Sequence, residues 1–196
     1  MSWFVWNLKT RYKIIEINSK VFLKNKDFKL EALKLKHGTP CLGYSLVEMD
    51  KRKVNVEYLS KFGLRNDPII KKLVQGKNIK WKGKEIKSKK ATQLKKGLKI
   101  SFISDTKYSN SIISFVKNSD LLVCEATFDD KFKEKAGRFF HLTSKQSAMI
   151  AKKANVKKLI LTHFSQRYKN VSLILSEAKE VFPNTTAASD FMILKI

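Results

Sequence analysis

Apolar and polar residues alternate early in the chain. In "FKLEALKLK", Phe28, Leu30 and Ala32 keep a period of two, Leu33 breaks step and Leu35 follows, the pattern of a half-buried strand. Strands are expected over 11–19, 20–25, 27–37 and 41–49, the last entered through a Gly-Thr-Pro turn. Beyond residue 97 the pattern changes to apolar runs separated by helical spacing. Strands are expected over 98–106, 120–128, 156–164 and 190–196, and helices over 109–119, 141–155 and 170–182. In the middle helix Thr143 or Ser144 is a natural N-cap, and Ala148, Ile150, Ala151 and Ala154 recur on one face. Strand–helix alternation of this kind predicts an α/β layer arrangement, and no internal repeat is evident.

The stretch between these halves reads differently. Residues 51–99 carry 17 Lys and Arg against three acids, Glu57, Asp67 and Glu85, so a quarter of the chain holds +14 of a formal +24. Gly76, Gly83 and Gly97 punctuate it, and Tyr58, Phe62 and Trp81 are available to anchor it or to stack on bases. We read residues 48–97 as a basic arm inserted into one domain spanning 1–196. A field of that sign attracts polyanions, of which nucleic acid is the commonest in cytoplasm.

Apolar residues make up 43 % of the chain, enough for a packed core. Cys41 and Cys124 lie far apart in apolar stretches and read as reduced thiols of a cytoplasmic protein. With no long apolar run and no basic-then-apolar leader, neither a membrane span nor a secretion signal is expected.

The candidate chemistry sits where the expected strands end. The chain has three histidines, His37, His141 and His163. His37 closes "EALKLKH", His163 closes "KLILTH", and His141 stands just before a helix; Asp105 closes "KISFISD" and Glu125 closes "LLVCE". Singly, each is also how an ordinary strand ends. Together they are a set that an α/β sheet would gather at one edge. His37, His163 and Asp105 are donor types that zinc prefers, and an aspartate can bridge two ions. Glu125 beside His141 would hold that imidazole in one tautomer, suited to protonating a leaving oxygen. These roles suit a metal-dependent phosphodiesterase acting on a polyanion.

The same segments resemble the ribonuclease Z family, tRNA 3′-processing endonucleases of the metallo-β-lactamase superfamily. "HGTPCLGYSL" (37–46), "ISDT" (103–106), "CEAT" (124–127), "HLTS" (141–144) and "THFSQRY" (162–168) are similar to that family's successive site motifs, in order. His141 falls 36 residues and His163 58 residues after Asp105. Cys124 stands where the family usually has histidine and Leu142 where it usually has serine, neither being a presumed metal ligand.

The resemblance implies an incomplete αββα metallo-β-lactamase sandwich, its carboxyl-terminal part, with an inserted tRNA-gripping arm. It implies two zinc ions, with His37, Asp105 and His163 as ligands, although manganese or iron would suit the same donors. Glu125 and His141 become the proton-donating pair. Lys71, Lys72, Lys77, Lys80, Lys82, Lys84 and Arg167 become candidate RNA contacts, Arg167 also organising its loop.

The family's His-x-His-x-Asp-His run is missing, since no histidine precedes His37. Two ions wanting about four ligands each are not satisfied by two imidazoles and one shared carboxylate. The expectation is therefore a subunit of a split enzyme that acts on precursor tRNA. It is completed in trans by a chain carrying that run, is inactive alone, and can pair further into a dimer. The alternatives are a non-catalytic RNA-binding remnant of the fold, or another phosphodiesterase of the superfamily.

Overall fold

The computed structural model describes residues 16, 17 and 20–196. The expected strand over 11–19 falls almost wholly outside them. The first described strands are β1 (Val21–Lys24), β2 (Phe28–Lys34) and β3 (Leu42–Glu48). Next come β4 (Lys51–Val54), α1 (Val56–Ser60), α2 (Ile70–Val74), β5 (Ile79–Trp81), β6 (Lys84–Ile86), α3 (Ser88–Ala91) and β7 (Thr92–Lys95). The alternating half then contributes β8 (Lys99–Ile103), α4 (Asn110–Phe115), β9 (Leu121–Glu125), α5 (Lys133–Arg138), α6 (Ser144–Lys153), β10 (Lys158–Thr162), α7 (Ser172–Val181) and β11 (Thr185–Ala187).

Seven strands form one mixed sheet in the order β1-β2-β3-β8-β9-β10-β11. Strands β1, β2, β3 and β8 pair antiparallel, whereas β8, β9, β10 and β11 run parallel. The parallel part has the helices its crossovers require. Ile103, Leu122, Cys124, Leu159 and Leu161 from the strands form one core with Ile112, Phe115, Ile150, Ala151, Ile174 and Ala178 from α4, α6 and α7. Helix α6 starts where its sequence says it should. Thr143 accepts from the Gln146 amide and Gln146 returns the bond, a complete capping box.

The alternate strand residues face the other way. Phe102 and Tyr44 pair directly across β8 and β3 and remain 43 % and 42 % exposed, with the Phe22 ring edge-on to Tyr44. One face of the sheet is therefore packed under helices, while on the other an apolar strip is open to solvent.

The basic segment leaves the sheet after β3. Strands β4 and β7 pair as a two-stranded stalk, and beyond it Leu59, Leu64, Leu73, Ile79, Ile86 and Ala91 make a second, separate core. Tyr58, Phe62 and Trp81 pack against that core, so these aromatics anchor the arm. Gly97 marks the return, because a Cβ there would collide with the Glu48 backbone.

One expected element is misplaced. Residues 190–196 are not a strand. The last strand is β11, whose residues Thr185, Thr186 and Ala187 pair with Leu159, Ile160 and Leu161. With Ala188 also bonded to the Leu161 carbonyl, that edge of β10 is used up. The apolar tail beyond it turns away at Phe191, whose φ is +63°, and leaves Phe191 and Ile193 exposed. No described helix is long and apolar enough to cross a membrane.

Candidate metal centre and its surroundings

The parallel register brings the strand ends together. Thr162 pairs with Glu125, and both Ile103 and Leu161 pair with Cys124, so β8, β9 and β10 finish at the same level. Strand β2, two antiparallel steps from β8, runs the same way and ends at that edge too. Asp105, Glu125, His163 and His37 thus leave the sheet on one side, the crevice position of α/β folds. The loop of His37 is tied to that of Asp105: Lys107 N–H donates to the Lys36 carbonyl at 2.8 Å, and Lys36 N–H to Thr106 Oγ1 at 3.2 Å.

Two of the histidines follow or occupy unusual backbone. His163 itself has φ +58°, and Phe140, just before His141, has φ +59°. Left-handed backbone at non-glycine residues costs energy and persists where the surroundings dictate it. Here it turns each chain out of its element and into the crevice.

Asp105, His141 and His163 each offer a donor atom, and the three atoms lie within 4.8 Å of one another. His163 Nε2 is 3.2 Å from Asp105 Oδ1. The His141 and His163 rings are stacked with centroids 5.3 Å apart, and the His37 ring lies 5.3 Å from that of His141. His37 Nδ1 approaches the Phe140 carbonyl at 3.3 Å. All five residues that the sequence singles out are thus in one place. His37, expected among the ligands, sits beside the donor triad, and His141, expected as an acid, is within it.

Beneath the histidines lies a buried polar network. Glu125 is fully buried, and its carboxylate accepts from Thr106 N–H (2.7 Å), Leu142 N–H (3.1 Å) and the Thr127 hydroxyl (2.6 Å). His141 Nδ1 is 3.2 Å from the same carboxylate. That contact holds the His141 pKa above the ordinary imidazole value, against the opposing effect of burial, with the charges of Glu125 and Asp105 adding to the rise. Thr127 and Thr106 were not expected as site residues. The only sequence sign of them is their place within "CEAT" and "ISDT".

Arg167 is exposed and stacks its guanidinium 4.4 Å over the Phe132 ring and 5.2 Å from that of Phe128. In the arm, Lys71 and Lys72 lie on α2, Lys77 follows it, and Lys80, Lys82 and Lys84 lie along the β5–β6 hairpin. All six are exposed, and none forms an ion pair with another described residue.

The donor types fit a transition-metal ion. Two imidazoles and a carboxylate converge, and a buried carboxylate–hydroxyl pair supports the imidazoles from behind.

The mixed sheet packed under helices on one face is part of a metallo-β-lactamase sandwich, as two solved structures show. A metallo-β-lactamase fold protein of Bacillus subtilis superimposes with a TM-score of 0.59 over 92 % of this chain and 54 % of that one, at 20 % identity. The crystal structure of the short form of human tRNase Z matches at 25 % identity with a TM-score of 0.56, covering 91 % of this chain and 47 % of that one.

By sequence the chain is related to ribonuclease Z. It is 36 % identical to ribonuclease Z of Archaeoglobus fulgidus over 188 residues, 94 % of this chain and 61 % of that protein. It is 40 % identical to that of Listeria welshimeri, covering 94 % of this chain and 63 % of the relative, and 37 % identical to that of Borrelia duttonii, covering 96 % and 62 %. The chain spans about three fifths of the length of these relatives. No family model matches it.

Proposed function

We propose that this chain is one part of a zinc-dependent endoribonuclease that trims the 3′ end of precursor tRNA in the cytoplasm. The observation that carries the reading is the convergence of Asp105, His141 and His163 over buried Glu125, in a chain related over 94 % of its length to ribonuclease Z. Asp105 and His163 would hold the metal from this chain, joined by His37 from the neighbouring loop. A bound zinc pair supplies polarisation of the phosphate and a more acidic water.

His141 has the other task. Its Nδ1 faces Glu125 at 3.2 Å, and that contact raises its pKa and so favours the protonated form. It gives a proton to the 3′ oxygen as the bond from phosphorus to that oxygen breaks and water adds to phosphorus, leaving a 3′-hydroxyl on the tRNA. The exposed lysines of the arm, Lys71, Lys72, Lys77, Lys80, Lys82 and Lys84, grip the tRNA backbone. Arg167, stacked on Phe128 and Phe132, is the remaining RNA contact and organises its loop.

The donor set calls for further ligands, which this reading assigns to a second polypeptide. Among the described residues no second cluster of His, Cys, Asp or Glu could hold an ion, and the whole chain has three histidines. Zinc takes about four ligands per ion. The remaining donors belong to a polypeptide carrying His-x-His-x-Asp-His, and the open strip of Phe22, Tyr44 and Phe102 is a surface for it. The completed unit can pair again.

The test is reconstitution. This chain, a polypeptide with that motif and zinc are mixed with a 3′-extended tRNA. Cleavage that needs both polypeptides and is stopped by a chelator is expected. Cleavage by this chain alone overturns completion in trans. Binding of tRNA without cleavage by any mixture favours the non-catalytic alternative, and cleavage of small phosphodiesters without tRNA binding favours another hydrolase.

A further inference from the structure

The Thr127 hydroxyl stands among three residues given roles above. It donates to Glu125 Oε2 at 2.6 Å, and the same oxygen lies 2.9 Å from His163 Nδ1 and 3.3 Å from His141 Nδ1. A threonine hydroxyl has one proton and two lone pairs. With its proton on Glu125, Thr127 can meet His163 only as an acceptor. The hydrogen between them must then sit on His163 Nδ1. We infer that Thr127 is a positioning residue that fixes His163 in its Nδ1–H tautomer. The Nε2 lone pair is thereby left facing Asp105 Oδ1 across 3.2 Å.

Asp105 pulls the other way, since its carboxylate would welcome a proton on Nε2. Burial decides between them. Glu125 is fully buried and Thr127 nearly so, and their bond belongs to a network with Thr106 N–H and Leu142 N–H. Turning the Thr127 proton towards His163 would take a hydrogen bond from a buried carboxylate, a penalty that water cannot relieve there. Asp105 is partly exposed, so water can satisfy it instead. His141 presents its Nδ1 to the same pair, at 3.2 Å from Glu125 Oε1, and its ring stacks on His163 at an interplanar angle of 27°. One carboxylate–hydroxyl pair therefore aligns two imidazoles.

A lone pair facing a carboxylate oxygen is a gap shaped for a cation. A histidine whose other nitrogen is held by a second partner is the usual way to orient such a ligand. The inference rests on the proposed function only for what Nε2 is used for; the tautomer itself is a property of this chain.

The test is nitrogen-15 NMR of the histidine rings in the full chain, at a pH above the imidazole range so that the neutral tautomer is read. His163 is expected as Nδ1–H in the wild type and in Thr127→Ser, which keeps the hydroxyl. In Thr127→Val it should move towards Nε2–H, the form a free histidine prefers in water. An Nε2–H His163 in the wild type overturns the inference, as does a Thr127→Val variant that folds and still shows Nδ1–H. If Thr127→Val fails to fold, the wild-type spectrum decides alone. The expected tautomer in a protein that never cuts tRNA on reconstitution would overturn the proposed function and leave this inference standing.

Discussion

The sheet body and the basic arm each close around an apolar cluster, but they place their polar residues in opposite ways. The body has 18 residues in its buried core and seats its partly exposed histidines on a fully buried carboxylate, Glu125, which is tied to three donors. The arm has six core residues and turns Lys71, Lys72, Lys77, Lys80, Lys82 and Lys84 outward, none of them ion-paired with another described residue. A buried carboxylate can hold an imidazole in one orientation, because the surrounding low dielectric strengthens the contact. An exposed lysine holds nothing in place, yet its charge reaches a phosphate backbone through water. Orientation and attraction need different environments, and this chain keeps them in different parts of the fold.

The sharpest way to break that division is through the body. Replacing His141 by alanine in the reconstituted enzyme should lower kcat for tRNA by about 10²–10⁴-fold, the usual worth of a placed general acid, with tRNA affinity nearly unchanged. Because contact with Glu125 is the first cause of its raised pKa, activity should fall as pH rises through that value. Glu125→Gln should move this alkaline limb to lower pH. A pH–rate profile that stays put in Glu125→Gln would separate His141 from the acid role.

Charge reversal in the arm should act on the other quantity. Changing Lys71, Lys72, Lys77, Lys80, Lys82 and Lys84 to glutamate should weaken tRNA binding by at least about 10³-fold at low salt and flatten its salt dependence, as expected when several phosphate contacts are lost. Binding isotherms at several salt concentrations check this. An unchanged salt slope would move the tRNA contacts elsewhere.

Smallest in reach is a change in the arm core. Leu73 is wholly buried there, and Leu73→Ala should cost about 2–5 kcal/mol locally. Hydrogen exchange should speed up within residues 54–91 and stay unchanged in β8, β9 and β10, since the two cores share no residue.

What the sequence makes legible follows the same divide. The strands that end in Asp105, Glu125 and His163 announce themselves, because a buried apolar run breaks abruptly at a polar residue. The arm announces itself by charge, whereas the choice between anchoring and base stacking for Tyr58, Phe62 and Trp81 is open in the sequence and their packing against the arm core answers it. Strand β11 was hidden: Thr185–Ala187 lacks an apolar signature and is a strand because β10 offers it a parallel edge. The tail at 190–196 has the signature but finds that edge taken. Thr127 was equally hidden, since its importance lies in touching residues 36 positions ahead and two behind. Local pattern shows where chains turn, whereas pairing and hydrogen bonding between distant segments decide what those turns meet.

The division of labour is tested most directly by removing residues 51–97 and assaying the reconstituted enzyme on two substrates, a 3′-extended tRNA and a small phosphodiester. Cleavage of tRNA should be lost while the small ester is hydrolysed as before. Parallel loss of both activities, or tRNA cleavage that survives the deletion, would contradict the account.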